Sequence, residues 1–264
     1  MKKIGVYAWF GGNVSIDDRF RAIKEVGFDS VALYWGDEYP EITDENDKTI
    51  KKVQDIYKLE VENFHAPYNT ASDLFKDDDI KGEAVIDRYI KCVKDAAKYH
   101  VETVVIHLTG DYNDPVINEK GIIRLKRLID CAKEYNVKLA FENLVASGLP
   151  YLHRVLEVYK DECVGFCYDL GHDNIHCENK FEILKRYKDR LFALHIHGND
   201  GKGDYHRRVI DGNIDIEKFK NILSEIEFSC PISLEVIQNL DLNTYDQFKE
   251  YVELLKQDCL MLIK

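Results

Sequence analysis

Six polar residues of this chain each follow an apolar or aromatic neighbour at the end of a short β-rich run. They are His65 after Phe64, His107 after Ile106, Glu142 after Phe141, Asp169 after Tyr168, His197 after Ile196 and Glu235 after Leu234. Side chains alternate faces along a strand, so neighbours that face a core leave all six polar groups on the opposite side. Converging there, Glu142, Asp169, His197 and Glu235 would make a divalent-cation site, because three carboxylates held together without a cation repel one another. Carboxylate-rich ligation suits Mn²⁺, Mg²⁺ or Co²⁺, and added histidines move the preference toward Zn²⁺. Further candidates lie close by: His172 in the segment DLGH, and Asp204 and His206 in GDYH. A loop histidine taken alone, such as His172 or His206, is more often a surface residue or a helix cap than a ligand. The argument for a site is the conjunction of six such residues on one face and one end of successive strands.

In LHIHGND, Leu194 to Asp200, His195 shares a face with His197 and lies one layer deeper, where it reads as a hydrogen-bonded interior residue. His100, His153 and His176 fall in or beside helical segments and carry no functional reading. Aromatic residues gather at the ends of the first two runs, in Tyr7, Trp9, Tyr34 and Trp35. Packing accounts for them as well as function does, but Trp9 and Trp35 could stack on the apolar face of a sugar. Arg207 and Arg208 could hold an anionic substrate, although solvated charge is the commoner role. Neither a Walker-type phosphate loop nor a GxSxG elbow is visible.

The elements that must position these residues can be read from periodicity. Eight β-rich runs, KIGVYAW, SVALYW, VENFHAP, TVVIHLT, KLAFEN, VGFCYDL, FALHIHG and ISLEVI, alternate with segments of helical apolar spacing. The helical segments are SIDDRFRAIKEVG, NDKTIKKVQDIYKLE, AVIDRYIKCVKDAAKYH, NEKGIIRLKRLIDCAKEYN, YLHRVLEVYK, FEILKRYKD, DIEKFKNILSEI and YDQFKEYVELLKQDCLMLI. Eight strands, each followed by a helix, predict an α/β fold: a (β/α)₈ TIM barrel, as a single domain over residues 1–264, with the polar ring at the carboxyl-terminal rim where such barrels carry their sites. A doubly wound open sheet is the alternative, disfavoured because no GxGxxG follows the first strand.

Composition narrows the partners. Against 36 Lys and Arg stand 48 Asp and Glu, a net charge of −12, which repels phosphate backbones and argues against nucleic acid. The start, MKKIGVYAWFGG, reads as a first strand rather than a signal peptide, and no apolar run reaches membrane-spanning length. Seven cysteines without a CxxC pair suggest a reduced, cytoplasmic protein.

The ordered set NFHAPY, VIHL, FENL, YDLGH, HIHGND, GDYH and SLEV resembles the xylose isomerase-like TIM-barrel superfamily, which holds sugar-phosphate isomerases and epimerases together with endonuclease IV, over essentially the whole chain. Resemblance to its ketose 3-epimerases implies one Mn²⁺-like ion on Glu142, Asp169, His197 and Glu235, with His172 touching substrate. Glu142 and Glu235 would then serve as acid and base, while the metal polarises the carbonyl and stabilises an enediolate. His65 and His107 would hydrogen-bond substrate hydroxyls. Resemblance to endonuclease IV implies instead three zinc ions on His65, His107, Glu142, Asp169, His172, His197, Asp204, His206 and Glu235, and a metal-dependent phosphodiesterase. The acidic balance places a metal-dependent sugar or polyol isomerase or epimerase first, the phosphodiesterase second, and a non-catalytic sugar-binding barrel third. Whether the chain forms a homo-oligomer stays open, barrels of this superfamily often pairing.

Overall fold

The computed structural model describes residues 2–8, 13–35, 47–110, 118–144, 149–237 and 240–264. Strands and helices alternate as β1 (Ile4–Tyr7), α1 (Ile16–Val26), β2 (Ser30–Tyr34), α2 (Asp47–Asp55), β3 (Glu60–His65), α3 (Asp79–Lys98), β4 (Thr103–Ile106), α4 (Glu119–Tyr135), β5 (Lys138–Glu142), α5 (Leu149–Val158), β6 (Val164–Asp169), α6 (Leu170–His176), α7 (Glu182–Arg186), β7 (Leu191–His195), α8 (Ile216–Glu225), β8 (Ile232–Leu234) and α9 (Tyr245–Ile263). Local chemistry sets the helix ends. Ser15, Asp78, Asn118 and Asp215 accept hydrogen bonds from backbone N–H groups of the first turns, and Thr244 with Gln247 completes a capping box at α9. Gly27 closes α1 at φ 92°, in the left-handed region that glycine adopts without steric cost.

Every strand pair is parallel, in the order β7-β6-β5-β4-β3-β2-β1-β8. Closure between β7 and β8 rests on one bridge, Ile196 with Leu234, in which Ile196 N donates to Ser233 O and Glu235 N to Ile196 O, each at 3.0 Å. The result is the expected TIM barrel. Its strands carry two populations of side chain, as alternation requires. Phe64, Ile106, Phe141, Tyr168, Ile196 and Leu234 join the large core beneath the helices. Each of these fully buried aromatic and aliphatic groups contributes about 1.5–3 kcal/mol. Val105, Ala140, Cys167 and Ala193 form a separate small cluster inside the barrel. Beneath it, buried Glu62 accepts hydrogen bonds from Ser30 and Ser233, and Gly5 leaves the space that the Glu62 carboxylate occupies.

Three features differ from the sequence reading. Helix α3 starts at Asp79, behind its Asp78 cap, rather than at Ala84. Helix α6 is seven residues long and begins directly after β6, too short to show a period. A 3₁₀ turn spans Ala71–Phe75. Among the described residues no helix is long and apolar enough to cross a membrane.

Candidate metal centre

Glu142, at the end of β5, is the hub of the rim. His107 Nε2 donates to its Oε2 at 3.1 Å, and His65 Nε2 and His195 Nδ1 stand 3.5 and 3.2 Å from the same oxygen. His172 Nδ1 is 3.2 Å from Oε1. Glu235, just past β8, places Oε2 3.1 Å from His195 Nδ1, so the two glutamates meet across one imidazole. His197 Nε2 lies 3.1 Å from Asp169 Oδ1 and 3.5 Å from Asp204 Oδ1. Asp204 Oδ2 accepts from His206 Nε2 at 3.1 Å and from His172 Nε2 at 3.3 Å. All nine proposed ligands therefore gather at one end of the barrel.

How GDYH reaches the site was not legible from its spacing. Gly198 and Arg207 pair as an antiparallel bridge that folds the segment after β7 back on itself, and His206 stacks on His197 with ring centroids 4.0 Å apart. His206 takes φ 44°, a left-handed conformation that costs a side-chain-bearing residue about 1–2 kcal/mol. Such strain concentrates at functional sites.

Backbone carbonyls orient three of the imidazoles. His65 Nδ1 donates to Ala66 O at 2.9 Å, His172 Nδ1 to Asn143 O at 3.0 Å and His206 Nδ1 to Glu235 O at 3.0 Å. Each Nε2 is left facing carboxylates, the arrangement that outer hydrogen bonds impose on metal-binding histidines. Asn143 holds Asp169 by accepting from its N–H at 2.7 Å and donating to its carbonyl at 2.8 Å. Asn199 donates to Gly171 O at 2.9 Å.

Electrostatics fits a cation. Burial pushes the Glu142 carboxyl up, but His107 and His195 outweigh it and hold the group well below the usual carboxylate range. Burial likewise opposes ionisation of Asp204, and hydrogen bonds from His172 and His206 reverse that. His206, despite burial, rises to about 9 through Asp204 and Glu235. Protons on His172, His195 and His206 thus balance the carboxylates, and a divalent cation competes for the same lone pairs.

The test of fit is which buried polar atoms have no partner. Asp169 Oδ2, His195 Nδ1, His197 Nδ1 and His197 Nε2 are buried without a hydrogen bond. His195 is interior, as expected, and its Nδ1 stands between two carboxylates. Ligand atoms of Glu142, Asp169, His195 and Glu235 lie within 4.8 Å of one another, as do those of His65, His107 and Glu142, and of His197, His206 and Glu235. Orphaned N and O atoms beside four carboxylates suit a divalent cation. The sequence reading placed His197, not His195, with the first group, because it took the deeper His195 for a hydrogen-bonded interior residue.

Trp35 is buried among the outer core residues and donates from Nε1 to Asp95 Oδ2 at 3.0 Å, toward α3, so its assignment to substrate is corrected. The inward neighbour is Tyr34, stacked on His65 at 5.8 Å. Trp9 lies outside the described residues. Tyr68, missed because it follows β3 by three residues, stacks on His107 at 4.7 Å and meets His65 edge-on. Arg208 is engaged by Asp258 at 2.9 and 2.7 Å, which removes it as an anion clamp, and Arg207 lies over the Tyr205 ring.

Comparison with known proteins is consistent with this geometry. A family model described as xylose isomerase-like TIM barrel matches residues 20–257. An uncharacterized protein of Sinorhizobium fredii is 34% identical over 151 residues, 53% of this chain and 49% of that one, so the match spans about half of that relative. An uncharacterized protein of Methanocaldococcus jannaschii is 26% identical across 92% of this chain and 87% of its own. Among solved structures, an L-ribulose 3-epimerase superposes with TM-score 0.77 at 15% identity, covering 99% of this chain and 96% of that one. A D-tagatose 3-epimerase-like protein does so at 0.75 and 22%, covering 99% and 98%. The IolI protein with a zinc atom bound gives 0.75 and 18%, covering 99% and 96%. At these identities the structural matches establish the fold.

Proposed function

Because the chain belongs to the xylose isomerase-like TIM barrel family, we propose that it is a divalent-metal-dependent isomerase or epimerase of a sugar or polyol. The observation that carries this reading is the meeting of Glu142 and Glu235 across His195 Nδ1, at 3.2 and 3.1 Å, amid unpartnered ligand atoms. Glu142, Asp169, His197 and Glu235, with His195 on the inner side, would hold the ion. When bound, a divalent cation supplies a Lewis acid that makes a C–H next to a carbonyl more acidic. One glutamate takes that proton and the other returns one to the opposite face, through an enediolate. His65, His107 and His172 would turn from their present partners to meet substrate hydroxyls, and Tyr34 and Tyr68 brace two of those rings. All seven cysteines are free, which supports a reduced, cytoplasmic setting.

The gathering of all nine candidate ligands supports a second reading, a phosphodiesterase resembling endonuclease IV. One experiment separates the two. Incubated in D₂O with Mn²⁺ or Co²⁺ and a panel of ketoses, aldoses and inosose-like polyols, the protein is expected to place deuterium beside the carbonyl of at least one compound. Glu142→Gln abolishes that exchange. Cleavage of abasic-site DNA without exchange in any sugar promotes the nuclease reading instead.

A further inference from the structure

Cys167 lies on β6 two residues before Asp169, and therefore on the same inward face one layer down. Its backbone pairs with Glu142 on one side and Ala193 on the other. Its sulfur, a Glu142 carboxylate oxygen and a His195 ring nitrogen lie within 4.8 Å of one another, and all three residues are buried. The rest of that layer, Val105, Ala140 and Ala193, is apolar. A lone thiol there would be ordinary packing, but His195, 3% exposed, brings a ring nitrogen within 4.8 Å of the sulfur and has a buried Nδ1 without a hydrogen bond.

We propose that Cys167, His195 and Glu142 form a soft-metal position beneath the rim, which takes Zn²⁺ or Cd²⁺ in preference to Mn²⁺ or Mg²⁺. A thiolate is a ligand that selects thiophilic ions, whereas the rim above offers only nitrogen and oxygen. Zinc bonds of about 2.3 Å to sulfur and about 2.0–2.1 Å to nitrogen need only a small inward contraction of this triad. Binding exchanges one proton for the ion: the S–H bond breaks, an S–metal bond forms, and the proton leaves to solvent. Because Glu142 and His195 also face the rim, a soft ion below withdraws two groups from a hard ion above. The chain would then discriminate among metals by depth.

Metal-stripped protein titrated with Co²⁺ and, separately, with Cd²⁺ tests the proposal without any sugar, so its outcome is independent of the catalytic reading. Wild type should develop the near-ultraviolet thiolate-to-metal absorption, and Cys167→Ser should lack it and bind Cd²⁺ at least about tenfold more weakly. Mn²⁺ affinity should change by less than about twofold. Absence of thiolate absorption in wild type overturns the proposal on its own, without reliance on a variant. Retention of the absorption in folded Cys167→Ser or Cys167→Ala overturns it too.

Discussion

A β-carbon at position 171 would overlap the ring of His197, so the glycine of DLGH is there to admit an imidazole. Gly171→Ala is expected to leave the circular dichroism intact while weakening cation retention by at least about tenfold, or about 1.4 kcal/mol; unchanged affinity by calorimetry would remove His197 from the ligand set. For Glu235→Gln, metal analysis and deuterium exchange should both fall, since one substitution removes a charged ligand and a proton carrier. His107→Ala should raise KM or lower turnover with metal stoichiometry unchanged, whereas loss of zinc would indicate a multinuclear site. At this scale the strand-end ring was readable because a period of two sorts side chains by face. What alternation cannot convey is whether a deeper inward side chain is a ligand, and so His195 was read as a hydrogen-bonded interior residue. Nor does it reach past a strand's end, where Tyr68 and the returning loop of His206 lie.

Between elements, two buried polar contacts fasten the site to its frame. Arg208 leaves the His206 segment to pair with Asp258 on α9, side chains 15% and 4% exposed. Asp258→Ala leaves a half-buried guanidinium without its carboxylate and should cost about 1–3 kcal/mol, read by denaturant unfolding; a loss below about 0.5 kcal/mol would make the pair a surface-like contact. Glu62, on the barrel floor, has its carboxyl pushed above 4.5 by burial, with Ser233 and Ser30 partly opposing. The protonated form is therefore the one the fold prefers. Its stabilising contribution is complete below 4.5 and fades as pH rises through the higher folded value. Relative to Glu62→Gln, wild type should lose melting temperature from acid toward neutral pH, and parallel curves would count against this. Periodicity revealed all eight strands, since each is long enough to alternate. It could not reveal α6, whose start is set by Asp169 accepting from His172 N at 2.6 Å, a cap that doubles as a candidate ligand.

The whole molecule carries a charge of −12, and four buried or half-buried carboxylates concentrate part of it at one rim. A cation held at 100 times its Kd adds about 2.7 kcal/mol to stability, several degrees of melting temperature for a chain of this size. Chelation should reverse that shift, and an identical Tm with and without chelator would argue against a resident ion. Family membership was legible from the order of seven short motifs, none specific alone, because this barrel distributes its site over six successive strand ends. The single bridge between β7 and β8 lies at the level of that same site. Glu142 and Asp169 stand on one side of the join with His195, and Glu235 on the other. An ion shared among them would act as a clasp across the barrel's least-stitched seam. The amide hydrogens of Ile196 and Glu235 should then trade with solvent sooner than those of β4 or β5 in chelated protein, and slow markedly once the clasp is shut.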